Sequence, residues 1–289
     1  MTHRARYAPG VASDPSDVPH TPSHEIDPTK PSVARVYDCF LGGKDNYEVD
    51  RAVFEQVNTV APQMATLALA QRAWLGRVTR FLATSAGIDQ FLDVGAGLPS
   101  AENTHQAAQR LNHNARVVYV DRDPVVLAHG RVILEENDFT HLVDADLTRP
   151  DEVFNHPSVR KHLDLEQPVA LIQSSTIHHV PDDAQPVQIM RRYIELLPRG
   201  SYVVLSHFCD PEDDGPGTAL ARFVEDVFAN GAMGSGYFRT RAQILALFGD
   251  LELVQPGLVR LRDWWPDGPP RQQATREDEV LLGGVARKP

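Results

Sequence analysis

Gln90-Phe91-Leu92-Asp93-Val94-Gly95-Ala96-Gly97 reads as a short buried strand that ends in an acid and opens into a glycine-rich turn. Further on, Arg116-Val117-Val118-Tyr119-Val120-Asp121 is a second apolar run ending in an acid. Strand, glycine turn, helix, strand, acid is the order in which an α/β sheet builds a nucleotide or nucleoside pocket. Gly95 and Gly97 let the backbone approach a ligand, and Asp121 could accept both hydroxyls of a ribose.

Strands and helices alternate outward from this stretch. The pattern predicts strands at 90–94, 116–120, 141–144, 168–173 and 201–206, with helices near 102–111, 124–136 and 184–197. The last helix is the clearest, with Asp182 and Asp183 at its start, Val187, Met190, Ile194 and Leu197 on one face, and Pro198-Arg199-Gly200 after it. Helices also follow near 218–230 and after Thr240, which caps the latter through Phe248. Leu251–Val254 and Glu279–Ala286 read as added edge strands, one of them antiparallel. The expected fold class is α/β: a Rossmann-like, doubly wound sheet, parallel for the most part.

The chain divides into three parts on this reading. Residues 1–30 are rich in proline and polar side chains and form a flexible tail. Residues 31–86 form a helical cap or lid. Asp45 or Asn46 caps one of its helices, and a longer helix carries Leu67, Ala70, Trp74, Val78 and Phe81 as an apolar stripe. Residues 87–289 form the ligand-binding domain.

Composition narrows the classes of function. With 28 basic and 39 acidic residues in 289, the formal charge is −11, which disfavours nucleic acid and anionic membranes as partners. Cys39 and Cys209 have no metal-type spacing, so neither a zinc site nor a disulfide framework is expected. The N-terminal stretch has no apolar core of a signal peptide, and no apolar run reaches membrane-spanning length. A cytoplasmic protein without metal follows; the oligomeric state is open.

The glycine turn distinguishes two ligands by their chemistry. A dinucleotide's pyrophosphate calls for a helix N-terminus and a third glycine, where this chain has Ser100. S-adenosylmethionine has no phosphate, and its ammonium group calls for an oxygen such as that of Asp93. The acid before the glycines leans toward the second ligand. Arg122, next to the ribose acid, belongs to the same site. Asp146 and Leu147 follow the third strand, where an acid could bond an adenine amino group or only close an Asx turn. Gln173 and Ser174 end the fourth strand, where they could meet the methionyl part. His178 and His179 follow; one is expected to hold a neighbouring loop, and either is a candidate general base. Trp264-Trp265 either lines a substrate mouth or plugs the space under a loop. No Gly-x-Ser-x-Gly elbow follows a strand, so a serine hydrolase is a poor fit.

Taken together, these residues resemble a class I S-adenosylmethionine-dependent methyltransferase. Ala34-Arg35-Val36-Tyr37-Asp38-Cys39-Phe40-Leu41-Gly42-Gly43-Lys44-Asp45-Asn46-Tyr47 further resembles the N-terminal signature of one methyltransferase family, first catalogued as a domain of unknown function. Leu98-Pro99-Ser100, Tyr119–His129, Leu196–Tyr202 and Ser206-His207 are similar to that family too, so the likeness runs from about Pro31 to the C-terminus. It implies a seven-stranded sheet with S-adenosylmethionine over the strand ends and the 35–47 segment packed above it. Arg35 could then meet the methionyl carboxylate, and Tyr37 or Asn46 the cofactor or the acceptor. The expected activity is methyl transfer to a small molecule, with secondary metabolism as a setting by resemblance only. A protein that binds the cofactor without catalysis, or a nicotinamide-dependent oxidoreductase, are the alternatives.

Overall fold

The computed structural model describes residues 26–100, 102–133, 137–266, 268 and 273–289. The expected tail lies outside these residues up to position 25, as do the last three residues of the helix expected at 124–136.

The described residues open with three helices, α1 (Val33–Phe40), α2 (Glu48–Val60) and α3 (Gln63–Thr84). It then alternates β1 (Gln90–Val94), α4 (Thr104–Gln109), β2 (Arg116–Asp121), α5 (Pro124–Ile133), β3 (Thr140–Asp144), α6 (Pro150–Asn155), α7 (Pro157–His162) and β4 (Ala170–Ser174). After two short 3-10 turns come α8 (Pro186–Leu196), β5 (Tyr202–Asp210), α9 (Pro216–Phe228), β6 (Arg239–Thr240) and α10 (Arg241–Ala246). β7 (Glu252–Leu253), β8 (Val259–Arg260), α11 (Arg276–Glu279) and β9 (Leu281–Arg287) close the chain.

The main path of the sheet runs β3-β2-β1-β4-β5-β9-β7, seven strands, with the two-residue β6 on β5 and β8 on β9 bringing the total to nine among the described residues. β1 to β5 are parallel; β9 runs antiparallel to both β5 and β7. The antiparallel strand therefore sits one place in from the edge. Chain order reverses between β1 and β4, which opens a crevice at their carboxyl ends.

Strand periodicity divides the core between two faces. Phe91, Val117, Ile172 and Val204 face the layer built by α3 and α9, with Trp74, Val78 and Leu220. Leu92, Val118, Leu171 and Val203 face the layer of α6, α7, α8 and α10, with Phe154, Met190, Tyr193 and Phe248. Burial on both faces explains why the strands read as continuous apolar runs.

Three local details differ from the sequence reading. α2 is capped from inside its first turn, where Asp50 Oδ2 accepts the Tyr47 amide at 2.8 Å, and not by Asp45 or Asn46. α8 begins at Pro186, since a proline needs no amide partner at a helix start; Asp182 and Asp183 fall in the 3-10 turn before it. Trp264 is fully buried and stacks on the exposed Trp265, with Phe81 edge-on to both, so Trp264 fills the space under a loop and neither tryptophan lines the cavity.

Candidate functional site

A cavity of about 690 Å³ lies over the carboxyl ends of β1, β2, β3, β4 and β5, roofed by α1 and α3. That volume falls within the roughly 300–1,000 Å³ of small-molecule sites. Asp93, Gly95, Gly97, Asp121, Arg122, Asp146, Leu147, Ser174, Tyr37, His178 and His179 all border it. The structure thus places most of the candidate residues at one cavity.

The turn after β1 is laced to β2. Gly95 and Ala96 amides donate to the Val120 carbonyl at 2.8 and 3.1 Å. The Gly97 amide donates to Asp121 Oδ2 at 2.9 Å, while Asp121 Oδ1 accepts the Arg122 and Asp123 amides at 2.8 and 2.9 Å. Gly95 has φ +86°, and a Cβ there would stand 2.2 Å from the Thr176 methyl. Only glycine lets β1 pass so close to the loop after β4. Asp121 therefore shapes the turn in addition to facing the cavity. Burial raises its pKa, against the pull of the amides it accepts.

Asp93 is buried and accepts a 2.6 Å hydrogen bond from Thr104 Oγ1. Burial pushes its pKa up to about 6, opposed by Thr104 and by the charge of Arg72. A buried carboxylate of this kind favours a cationic ligand. Asp146 is more committed. Its Oδ1 accepts the Thr148 amide and hydroxyl, each at 2.8 Å, closing an Asx turn, and its Oδ2 pairs with Arg122. Burial would raise its pKa, but these hydrogen bonds and the Arg122 charge outweigh it and hold the carboxyl low.

Three expected residues stand outside the cavity lining. Arg35 donates through Nε to Asp50 Oδ2 at 2.7 Å, and its guanidinium also bonds the Lys30 carbonyl and lies over the Tyr47 ring. It braces α1 against α2. Asn46 Nδ2 donates to Asp38 Oδ2 at 2.8 Å and closes the α1–α2 loop. Gln173 is fully buried, with Oε1 accepting from Thr176 Oγ1 at 2.7 Å.

Sequence reasoning missed Gln71 and Arg72, which α3 presents to the cavity. Gln71 Nε2 donates to Ser174 Oγ at 2.6 Å, and its Oε1 accepts the Tyr37 hydroxyl. A hydrogen-bonded chain thus ties α1 through α3 to β4. Burial pushes Tyr37 up to about 12, so the phenol stays protonated and donates. Arg72 donates to the Glu102 carbonyl at 2.6 Å. The available signal was a polar side chain inside an apolar stripe, Leu67, Gln71, Trp74, Val78.

The histidine loop is held by Arg239. Its guanidinium donates to Asp182 Oδ1 at 2.6 and 3.0 Å, to the Val180 carbonyl at 2.8 Å and to His207 Nε2 at 2.9 Å. His207 Nδ1 donates to the Phe208 carbonyl at 2.6 Å, which sets its tautomer. His178 stacks on Phe208 of β5 at 3.9 Å, and its Nδ1 accepts the Phe208 amide at 3.4 Å. His179 Nδ1 meets Ser235 Oγ at 3.0 Å. Burial drives all three imidazoles toward the neutral form: His178 well below its usual range, His179 to about 4 and His207 to about 3.

The sequence profile of the S-adenosyl methyltransferase family matches residues 19–289. The chain belongs to that family. A candidate methyltransferase from Thermobifida fusca is 39% identical, with 90% of this chain and 95% of that one covered and a TM-score of 0.82. A duf574 family protein from Streptomyces avermitilis is 36% identical, with coverage of 92% and 100% and a TM-score of 0.83. An O-methyltransferase family protein from Burkholderia thailandensis, 12% identical, shares the fold at a TM-score of 0.51 over 78% of this chain and 58% of that one. Comparison with curated proteins yielded no match.

The family sets the cofactor of this methyltransferase as S-adenosylmethionine. The donor set is consistent with it: a buried carboxylate for an ammonium, a guanidinium for a carboxylate, and a strand-end acid for hydroxyls. Among the described residues, no group of three or more His, Cys, Asp or Glu is placed to hold a metal ion. No helix among them is long and apolar enough to cross a membrane.

Proposed function

We propose that this family member transfers the methyl group of S-adenosylmethionine to a small-molecule acceptor inside the cavity. The observation that carries the reading is the cavity rim itself. Asp93, Asp121 and the glycine turn are locked into one unit at the ends of β1 and β2, and α1 and α3 close over them. A roofed site suits an acceptor that can be enclosed rather than a polymer.

In this assignment Asp93 binds the methionyl ammonium. Arg72, and not Arg35, takes the methionyl carboxylate, since Arg72 borders the cavity while Arg35 is spent on Asp50. Asp121 takes the ribose hydroxyls with the acceptor capacity its three amides leave. Leu147 and the Asp146 turn flank the adenine. When bound, the cofactor supplies an already activated methyl group, so the protein's task is to orient the acceptor in line and to exclude water. Two buried free cysteines, Cys39 and Cys209, support a reducing, cytoplasmic setting.

Calorimetry with S-adenosylmethionine, S-adenosylhomocysteine and NAD tests the cofactor assignment. Tight binding of the first two and far weaker binding of NAD is expected; equal or tighter NAD binding would overturn it. Labelled methyl transfer into metabolite pools then tests catalysis, and a protein that binds but transfers nothing to any pool is a cofactor-binding protein only.

A further inference from the structure

The cavity is chemically divided along the sheet. On the side of β3, β2 and β1 stand Asp146, Asp121 and Asp93. On the side of β5 and β9 the lining is Phe208 and Leu281, joined by Phe228, Met233, Phe40 and Leu67. No residue of this second group carries a charge. Three of its rings are joined: Phe228 lies 6.1 Å from Phe208, and Phe40 meets Phe228 edge-on at 6.4 Å. Phe208 itself is stacked between His178 at 3.9 Å and Phe238 at 4.7 Å, so an acceptor meets its edge. The loop after β4 sits at the boundary, because β4 lies between β1 and β5. His179 is on that loop, borders the cavity and has Nδ1 engaged by Ser235, which leaves Nε2 as the ring nitrogen available to an acceptor.

We infer that the methyl acceptor is an uncharged, planar aromatic compound with a phenolic hydroxyl, seated on the Phe208–Phe228 wall with that hydroxyl at His179. The inference rests on the proposed methyl transfer and specifies its acceptor. A carboxylate or ammonium acceptor would lose its hydration with no opposite charge on this side to replace it. An aromatic ring gains both apolar burial and ring contacts there. The acceptor oxygen bonds to the methyl carbon as the carbon–sulfur bond breaks, the bonding pair staying on sulfur, and the hydroxyl proton passes to His179 Nε2 and then to solvent. His179, held near pKa 4 by burial, is neutral and ready to accept, yet a weak base. Such a base matches an acidic phenol far better than an aliphatic alcohol.

The test uses the full chain and three probes of similar size: naphthol, naphthoate and decalol. S-adenosylhomocysteine binding is measured first. Naphthol is then titrated into the loaded protein by fluorescence, with the other two as competitors. Naphthol is expected to bind about tenfold or more tightly than naphthoate, given the cost of desolvating an unpaired charge, and more tightly than decalol. Met233→Asp should abolish naphthol binding with S-adenosylhomocysteine affinity unchanged. His179→Gln should keep naphthol binding but lose labelled transfer to it. Preference for naphthoate or decalol, unaltered naphthol binding by Met233→Asp, or undiminished transfer by His179→Gln would overturn the inference while leaving methyl transfer standing. Failure to bind S-adenosylhomocysteine would overturn both.

Discussion

Arg35 and Asp50 form a buried ion pair, Nε to Oδ2 at 2.7 Å, with the Arg35 side chain 4% and the Asp50 side chain 0% exposed. Asp50 also accepts the Ser32 and Tyr47 amides at 3.0 and 2.8 Å. One carboxylate thus gathers the start of α1, the start of α2 and the guanidinium between them. The family signature around residue 35 is, on this geometry, a structural brace.

Arg35 and Arg72 should therefore separate on substitution. Arg35→Ala leaves Asp50 buried and uncompensated and is expected to cost about 3–5 kcal/mol of stability. Arg72→Ala removes a part-buried cation at the cavity and is expected to weaken cofactor binding with little change in melting temperature. Thermal melts and calorimetry on both variants check this. A stable Arg35→Ala protein that has lost the cofactor would reverse the two roles.

Asp93 gives the site a pH dependence. Its folded-state pKa is raised from 3.8 to about 6 by burial, so between those values the folded chain holds a proton that the unfolded chain has released. Stability without ligand accordingly falls as pH rises through that window, by about 2–3 kcal/mol at most. Cofactor binding runs the other way, because only the ionised carboxylate can pair with an ammonium. Affinity should drop as pH falls below 6. Asp93→Asn should flatten that profile, weaken binding at pH 7 and raise the melting temperature of the ligand-free protein there. A pH-independent affinity in the parent would remove Asp93 from the ammonium site.

Asp121 joins the turn to the ligand. Asp121→Ala frees the Gly97, Arg122 and Asp123 amides and removes the acceptor for the ribose hydroxyls. The loss of charged hydrogen bonds is expected to weaken S-adenosylmethionine binding by about 1.5–3 kcal/mol in a protein that still unfolds cooperatively. Asp121→Asn, which keeps one acceptor oxygen, should fall between the two. Unchanged affinity in a folded Asp121→Ala variant would reduce the residue to a clasp for the turn.

What the sequence made legible was local. β1, β2, β4 and β5 are largely buried apolar runs, and β3 a half-buried one, bounded by acids, glycines and helix starts, so their existence and order could be read. The Asp93–Gly97 turn and Asp121 are close enough in sequence to form one motif. The position of β9 inside the sheet could not be read, because an apolar strand carries no mark of its neighbours. Arg35 and Asn46 read as facing the ligand, because a dense polar set beside glycines resembles a binding loop. Their partners, Asp50 and Asp38, only become visible once α1 and α2 fold back on each other. Gln71 and Arg239 were missed for the same reason. Each makes its defining contacts with residues distant in the chain, Ser174 and Asp182, and nothing in the local pattern names them.

The remaining prediction concerns the segment that roofs the cavity. Ser32 Oγ donates to Asp123 Oδ2, Tyr37 bonds Gln71, and Ala34 packs with Leu98, Val125 and Val126. α1 is thereby pinned at both ends of the site. The following Gly43 could carry no side chain, since a Cβ there would lie 1.8 Å from Asp38 Oδ1, so the loop to α2 closes around Asp38. Together these contacts favour a fixed roof over a freely swinging lid. Deleting residues 1–28 removes none of them and should leave cofactor affinity unchanged. Deleting through residue 47 strips Ser32, Arg35 and Tyr37, leaves Asp50 without its partners and Gln71 Oε1 without the Tyr37 hydroxyl, and exposes the apolar faces of α2 and α3; it should abolish binding or unfold the protein. Circular dichroism and calorimetry on both truncations distinguish the outcomes. A shorter protein that remains folded and binds S-adenosylmethionine as well as the full chain would show that the roof has no part in the site.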